Sequence, residues 1–92
     1  MFKADFYENK QGEQPVRKLL EKHGTRIGEP VVKHVVGDIW ELRPVVHRIL
    51  FFYWKDNKFI LLHHFIKKTN KTPPKEIKQA ERNMKDYKER NG

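Results

Sequence analysis

The chain has no cysteine among its 92 residues, few acidic side chains in its middle third and no long hydrophobic run. Without thiols, neither a disulfide framework nor a thiolate metal site can form. The longest apolar runs, residues 49–54 and 59–62, are far shorter than the ~20 residues that span a bilayer, and no secretory signal is recognisable. We expect a single domain over residues 1–92, located in the cytoplasm, with no membrane segment and no metal.

Positive charge is concentrated in one part of the chain. Residues 1–42 carry seven Lys/Arg and seven Asp/Glu, residues 43–75 carry eight Lys/Arg against Asp56, and residues 76–92 carry five against four. A segregated field of one sign costs stability through self-repulsion and is typical of proteins that bind polyanions. The distribution therefore indicates a nucleic-acid-binding surface, with a solvated basic face as the alternative.

The N-terminal half contains one predicted strand and one short predicted helix. Residues 2–7 alternate between apolar and polar side chains, which is the period of a strand. Pro15, followed by apolar residues at helical spacing, predicts a helix over residues 15–23 that Gly24 ends. Residues 28–30, Gly-Glu-Pro, break the chain again.

The C-terminal half predicts three consecutive strands and a long helix. The strands cover residues 39–43, 48–54 and 59–66, with Pro44 ending the first and Asp56-Asn57 forming a tight turn between the last two. Thr72, with two prolines after it, predicts the cap and first turn of a C-terminal helix. We predict an α+β fold with a small antiparallel sheet, helices packed on it and a C-terminal helix.

Three strings lie along the predicted sheet and the loop that follows it. Residues 38–44 read DIWELRP, residues 47–49 read HRI, and residues 63–73 fit H-x-F-x-K-K-T-x-K-T-P. Together with the order of predicted elements, they resemble the RelE/ParE superfamily of bacterial toxins, and within it the HigB-type, phage-derived branch. The resemblance runs from about residue 28 to the C-terminus.

This resemblance implies a RelE-like sheet and a biochemical activity. Relatives in this branch inhibit translation by cutting messenger RNA, usually on the ribosome, and are silenced by a co-expressed antitoxin. The chain is thus expected to be the toxin of a type II toxin-antitoxin system and a ribosome-dependent mRNA endoribonuclease. Its expected partners are mRNA on the ribosome and a cognate antitoxin with a helix-turn-helix DNA-binding domain, and no cofactor is expected.

The chain departs from these relatives in its first helical region. They generally carry two helices between the first strand and the W-E-L-R-P strand, whereas here only residues 15–23 are predicted helical, within a shortened region around residues 15–27. Either the chain is a compact variant or a segment is missing from the sequence. Part of the usual cover of the sheet is in question in both cases.

The residues of the basic region suit metal-free RNA cleavage. Such cleavage needs a base for the 2′-hydroxyl, an acid for the leaving 5′ oxygen and cations around the phosphate. Histidine serves as acid or base because its ordinary pKa is about 6.5, and arginine clamps phosphate with a planar, permanently charged fork. The expected catalytic residues are Arg43, Arg48, His63, Lys67 and Lys68.

The two arginines have structural alternatives. Arg48 begins a strand and is either a strand-end charge or a phosphate ligand; it matches the position of the main phosphate-binding arginine of the relatives, which favours the second. Arg43 either binds phosphate or pairs with Glu41 or Asp38. Glu41 itself is expected to be a surface or salt-bridging carboxylate, with a general base as the alternative.

The adjacent histidines are expected to lie on opposite faces of their strand, so at most one is catalytic. His63 matches the family position and is the expected one, while His64 is then a packing residue. Tyr7 or Tyr53 would stack on a nucleobase if exposed. Two histidines that point apart cannot hold one metal ion, so no metal site is expected here.

Further basic residues are expected to bind RNA around this patch. Lys71 lies in the loop before the predicted C-terminal helix, and Lys75 lies in the first turn of that helix. Backbone N–H groups and ammonium groups together suit phosphate at this place. Lys33 and His34 are expected to extend the rim. The structural alternative for all four is a solvated surface.

Two other functions remain open on the same fold. One is inhibition of DNA gyrase, as in ParE-like toxins, and the other is non-catalytic RNA binding. The basic, histidine-containing strand end argues for RNA cleavage over gyrase inhibition.

Overall fold

The computed structural model describes residues 3–23, 31–43, 47–68 and 71–91. Within these ranges the order of elements is β1 (Lys3–Phe6), α1 (Pro15–His23), β2 (Val31–Val36), β3 (Ile39–Arg43), β4 (His47–Trp54), β5 (Lys58–Ile66) and α2 (Pro74–Asn91). The α+β class is confirmed, and the last three predicted strands agree with β3, β4 and β5 to within one residue. The predicted breaks at residues 24, 28–30 and 44, and residues 24–27 of the shortened helical region, lie outside the described residues.

The described strands form one mixed sheet in the order β1-β5-β4-β3-β2. Strands β2 to β5 are antiparallel to their neighbours, whereas β1 runs parallel to β5, with Lys3 opposite Lys58 and Phe6 opposite Leu61. The sequence predicted an antiparallel sheet, whereas the sheet is mixed because β1 is parallel to its neighbour. A helix, α1, follows β1, so β1 does not form a hairpin with the next strand. It pairs instead with the edge of β5 that β4 leaves open.

Strand β2 is an additional element that the sequence analysis does not predict. Its four valines are β-branched and favour extended backbone. It is joined to β3 by a turn in which Gly37 adopts a positive φ of 53°. Lys33 and His34, which were expected on a rim before the sheet, therefore lie on its outermost strand.

The β4–β5 hairpin occupies the middle of the sheet. Asp56 and Asn57 form its turn with φ values of 61° and 58°, a conformation that Asp and Asn tolerate better than other side chains. Ile49 to Phe52 are buried as an unbroken run, since β3 and β5 flank β4 and helices cover both faces of the sheet.

The core is divided by the sheet into two layers, one under each helix. On the face that α2 covers, here the α2 face, the buried cluster is Tyr7, Ile39, Leu50, Phe52, Ile60, Leu62, Ala80 and Tyr87. On the other, here the α1 face, Val16, Ile49, Phe51 and Leu61 are buried, with Trp40 and Leu42 packed against them. Burial of each aliphatic or aromatic side chain contributes about 1.5–3 kcal/mol to the free energy of folding. Packing against the sheet is therefore the main stabilisation of α1 and α2.

Candidate nucleic-acid interface

A β-bulge in β5 decides which face each of its histidines takes. Leu50 lies opposite His63 and Phe51 lies opposite Leu61, so Leu62 is an extra residue in β5 without a cross-strand partner. Leu62 remains fully buried in the core of the α2 face. Since a one-residue shift reverses the alternation of side chains, Leu62 and His63 both lie toward the α2 face.

His63 is held against the start of α2. Its Nε2 lies 3.1 Å from Oε1 of Glu76, a carboxylate in the first turn of that helix, and about four-fifths of each side chain is buried. The imidazole also stacks on Phe65, with ring centroids 6.3 Å apart. A ring nitrogen beside a carboxylate fixes the tautomer and the orientation of the imidazole, so His63 presents one defined edge.

His64 lies on the opposite face, across from Ile49. Burial lowers the pKa of His64, electrostatic interaction with His63 and then with His47 lowers it further, and Glu76 and a hydrogen bond with the Pro15 backbone act in the opposite direction. His64 lines a cavity of about 420 Å³ on the α1 face, together with Asn9, Glu13, Pro15, Lys18, Leu19, His47 and Ile66. It is thus separated by the sheet from the residues around His63.

Glu41 is a buried carboxylate on the α2 face. Only 1% of the residue is exposed, and Arg43 Nε donates to its Oε2 at 2.6 Å while Thr72 Oγ1 donates to its Oε1 at 2.8 Å. Of the alternatives for Glu41, the salt bridge is therefore found and the surface position is wrong, because two donors compensate its burial. Arg43 pairs with Glu41 and keeps a quarter of its side chain exposed.

The start of α2 differs from the prediction in one detail. The Pro73 carbonyl accepts hydrogen bonds from the backbone N–H groups of Glu76 and Ile77, at 3.0 and 3.2 Å, so Pro73 occupies the cap position and Pro74 begins the helix. The Thr72 hydroxyl, predicted to cap the helix, donates to Glu41 instead. Because α2 begins at Pro74, Thr72 lies one residue before the cap position.

Arg48 lies on the same face as Arg43 and His63. It is opposite Phe65, whose ring packs against the core of the α2 face, and its Nη1 donates to the His47 carbonyl at 2.8 Å. Only 7% of the residue is exposed. The guanidinium is therefore fixed within the strand end, where its geometry is set before any ligand arrives.

Lysines surround the end of β5 and the start of α2. Lys67 and Lys68 follow β5 and are exposed, as are Lys71 and Lys75. A cleft of about 420 Å³ lies between these segments, and its lining residues are Phe65, Ile66, Lys68, Pro73, Lys75 and Glu76. Glu76, the partner of His63, lines this cleft together with Lys68, which was predicted to be catalytic, and Lys75, which was predicted to bind RNA.

Lys33 and His34 are separated by the sheet. Lys33 lies opposite Glu41 and therefore on the α2 face, where it is exposed at the edge. His34 lies opposite Trp40 on the α1 face, with the two rings 5.0 Å apart, and its Nε2 is 2.8 Å from the Gly37 carbonyl. Of the two expected rim residues, only Lys33 shares a face with the arginines.

Of the two tyrosines considered for base stacking, one is exposed. Tyr7 is only 6% exposed and its hydroxyl donates to Asp86 Oδ2 at 2.7 Å; burial, and then this hydrogen bond, raise the pKa of Tyr7 to about 12. Tyr7 therefore cannot stack on a base. Tyr53 is 47% exposed and its ring contacts Trp40, Phe51 and Phe59.

The α2 face thus brings together a set of groups that suit a phosphodiester. Arg43 and Arg48 offer charged hydrogen-bond donors, His63 offers a group that moves protons, and the lysine-lined cleft adjoins them. In the described parts of the chain, no three His, Asp or Glu side chains come together as metal ligands would. Neither helix that the structure describes is long and apolar enough to cross a membrane.

Three residues of this site are not among the sequence-derived candidates. Thr72 and Glu76 contact Glu41 and His63, respectively, and Asn83 is buried beside the bulge, where its Nδ2 donates to the Leu62 carbonyl at 2.9 Å. One sequence signal points to Asn83: it stands three residues after Ala80, on the stripe of apolar residues along α2 that includes Ala80, Met84 and Tyr87. A lone amide in such a stripe indicates a buried hydrogen bond.

Comparisons with known proteins assign the chain to a family. No curated protein sequence matches it. The family model described as "Phage derived protein Gp49-like (DUF891)" matches residues 15–85, which include β2 to β5, α1 and the first two-thirds of α2. The match covers well over half of the chain, so this protein belongs to the phage-derived Gp49-like family, a toxin-like family of the RelE/HigB type.

Proposed function

We propose that the protein is the toxin of a type II toxin-antitoxin system and that it inhibits translation by cutting messenger RNA held on the ribosome. The observation that carries this proposal is the position of Arg43, Arg48 and His63 on one face of the sheet, beside a cleft flanked by Lys68 and Lys75. Membership of a toxin-like family supports it.

The proposed reaction is an internal transfer at one phosphodiester. The 2′ oxygen attacks the adjacent phosphorus, its proton passes to a base, the new O–P bond forms and the bond from phosphorus to the 5′ oxygen breaks as that oxygen gains a proton. The products are a 2′,3′-cyclic phosphate and a 5′-hydroxyl. No oxidant, reductant or further reactant is needed.

Arg48 and Arg43 are proposed to stabilise the charge that builds on the phosphoryl oxygens. Preorganised cationic donors contribute most where charge develops in the transition state and water is scarce. Arg48 fits this requirement because it is 93% buried and already oriented by the His47 carbonyl. Arg43 is oriented by Glu41 in the same way, and its exposed quarter faces the solvent from which RNA arrives.

His63 is proposed to move the protons. Its ring is fixed by Glu76 and Phe65, two residues that line the cleft. A carboxylate that accepts from one ring nitrogen leaves the other nitrogen to exchange a proton with the substrate. Glu76 therefore acts through His63.

The lysines are proposed to bind the phosphates that flank the cut. Lys67, Lys68, Lys71 and Lys75 are exposed around the cleft, and contacts of this kind give affinity without sequence preference. The same positive surface suits acidic groups of a cognate antitoxin, which we propose carries a helix-turn-helix DNA-binding domain and covers the cleft in the inactive complex.

Controlled expression in bacteria, followed by mapping of mRNA 5′ ends, tests this function. Induction of the wild-type chain should arrest growth and produce new ends in phase with the reading frame, and Arg48→Ala should abolish both. Arg17→Ala is the matched control, because Arg17 is exposed on α1 and its contacts are to the nearby side chains of Glu21 and Gln14 on the surface. Thermal unfolding of each purified variant shows that the fold is retained.

The other outcomes separate the competing functions. Growth arrest with DNA damage and intact mRNA would replace RNA cleavage with gyrase inhibition. A folded protein that binds RNA but causes neither arrest nor new ends would be a binding module. If Arg48→Ala produced the same new mRNA 5′ ends as wild type, Arg48 would not belong to the site.

A further inference from the structure

The bulge at Leu62 is the single irregularity on which the position of His63 depends. In an unbroken strand, Leu62 and His63 would lie on opposite faces, so a buried Leu62 on the α2 face would send His63 to the α1 face. The extra residue keeps both on the α2 face, with His63 opposite Leu50. Whatever stabilises the bulge therefore also selects the histidine that meets Glu76.

Asn83 contacts the bulge from α2. The residue is 7% exposed, and its Nδ2 donates to the Leu62 carbonyl at 2.9 Å. Its Oδ1 accepts from Gln79 Nε2 at 2.9 Å, so the amide is oriented at both ends. The backbone of a bulged residue is left out of the ladder, and a buried carbonyl without a donor is costly. Asn83 supplies that donor.

We propose that Asn83 is a positioning residue: by donating to the Leu62 carbonyl it stabilises the bulge in β5 and thereby holds His63 on the α2 face beside Glu76. The geometric part concerns the register of β5 alone. The catalytic consequence rests on the proposed function, because it assumes that His63 moves protons during RNA cleavage. The two parts are tested by separate measurements.

The geometric part is tested by NMR on the wild-type protein and on Asn83→Leu. Wild type should show a scalar coupling across the hydrogen bond from the Asn83 amide to the Leu62 carbonyl, and nuclear Overhauser effects from the His63 ring to Leu50. Asn83→Leu has similar size but no donor, and its His63 ring should lose the contact to Leu50 and approach Ile49. No coupling in wild type, or an unchanged His63 environment in a folded Asn83→Leu, would overturn the proposal.

The catalytic part is tested by the rate of cleavage of ribosome-bound mRNA. Asn83→Leu should lower the rate at least about 100-fold, because displacement of a catalytic group by even one ångström has effects of that size. Met84→Ala is the control: Met84 packs in the same core and its truncation destabilises the fold without removing a donor to β5. Equal losses in the two variants at matched thermal stability would show that Asn83 is only structural.

The two failures are distinguishable. If the wild-type protein cuts no RNA, the proposed function fails while the NMR comparison still decides whether Asn83 sets the position of His63. If Asn83→Leu does not fold, the coupling in wild type still decides the hydrogen bond, and Asn83→Ser, which is too short to reach Leu62 but adds no apolar bulk, takes its place in both assays.

Discussion

The hydroxyl of Thr72 donates a 2.8 Å hydrogen bond to Oε1 of the buried Glu41, and so joins the turn before α2 to the middle of β3. The same carboxylate accepts from Arg43 through its other oxygen. One side chain thus fixes an arginine of the candidate site and the segment that carries its lysines. This arrangement determines where the cleft lies relative to the sheet.

Replacement of Thr72 by valine should destabilise the protein measurably. The substitution keeps the shape of the side chain but removes the donor to a buried carboxylate, which should lower the free energy of unfolding by about 1.5–3 kcal/mol. Urea unfolding monitored by tryptophan fluorescence gives the value. A loss below about 0.5 kcal/mol, as found at ordinary surface positions, would mean that Thr72 does not hold the turn in solution.

Stability should fall as the solution becomes alkaline, partly through Tyr7. The pKa of Tyr7 is about 12 in the folded protein against 10.0 as a free side chain, with burial as the main cause and the hydrogen bond to Asp86 next. The unfolded chain therefore releases this proton first, and the free energy of unfolding decreases as the pH rises from about 10 to 12. Burial and Asp5 raise the pKa of Tyr87 as well, which adds to the decline.

Comparison of Tyr7→Phe with Tyr53→Phe isolates that contribution. Chemical unfolding at a series of pH values should show a shallower alkaline decline for Tyr7→Phe, because one of the two groups responsible is gone. Tyr53→Phe is the control, because it removes a hydroxyl from a ring that is 47% exposed and not from a buried one. The same slope in all three proteins would contradict the assigned burial of Tyr7.

A second pH effect is expected on the acid side, from His64. Its pKa is lowered in the folded protein, first by burial and then by His63 and His47. A depressed folded-state pKa means that the unfolded chain binds the proton more readily, so stability is present above about pH 6.5 and is lost as the pH falls below that value. His64→Gln should reduce this loss in unfolding curves between pH 7 and pH 5.

His34→Gln serves as the control for that measurement. His34 is on the exposed edge strand, with its ring against Trp40 and the Gly37 carbonyl. It is not among the groups that shift the pKa of His64. An acid decline that His34→Gln reduces as much as His64→Gln does would show that the cavity on the α1 face is not its origin.

The lysines of the cleft should determine how strongly RNA binding depends on salt. Each phosphate contact on a single strand contributes about 0.7 to the slope of log affinity against log salt concentration. Lys68→Ala and Lys75→Ala should each reduce the slope for a non-cleavable 2′-O-methyl RNA by about that amount. Lys55 lies in the turn at the other end of the hairpin, so Lys55→Ala should leave the slope unchanged. An equal reduction in Lys55→Ala would indicate non-specific attraction.

The sequence predicts the central hairpin and the C-terminal helix well because their signals are local. The Asp56-Asn57 turn, the unbroken apolar run after Arg48 and the prolines at 73 and 74 each act on neighbouring residues. The direction of β1 depends on where the chain returns to the sheet, and β2 lies in a short, partly polar segment. Neither is determined by periodicity alone.

The same contrast between local and long-range signals applies to the site residues. The strings around Arg43, Arg48 and His63 point to residues that the structure collects on one face, although alternation along β5 by itself would place His63 on the other face. The bulge at Leu62 depends on a hydrogen bond from Asn83, 21 positions away in sequence. Likewise, the burial of Glu41 depends on Thr72, 31 positions away. Such long-range contacts leave little trace in a single sequence.

The most direct test of the account is the chemistry of the RNA ends made by purified protein on programmed ribosomes. The proposed transfer predicts fragments that carry a 5′-hydroxyl, which a polynucleotide kinase labels without prior phosphatase treatment. Arg48→Lys keeps the charge but loses the fork and should cut about 100-fold more slowly. Fragments with a 5′-phosphate, or equal rates for wild type and a folded Arg48→Lys, would contradict the central claim.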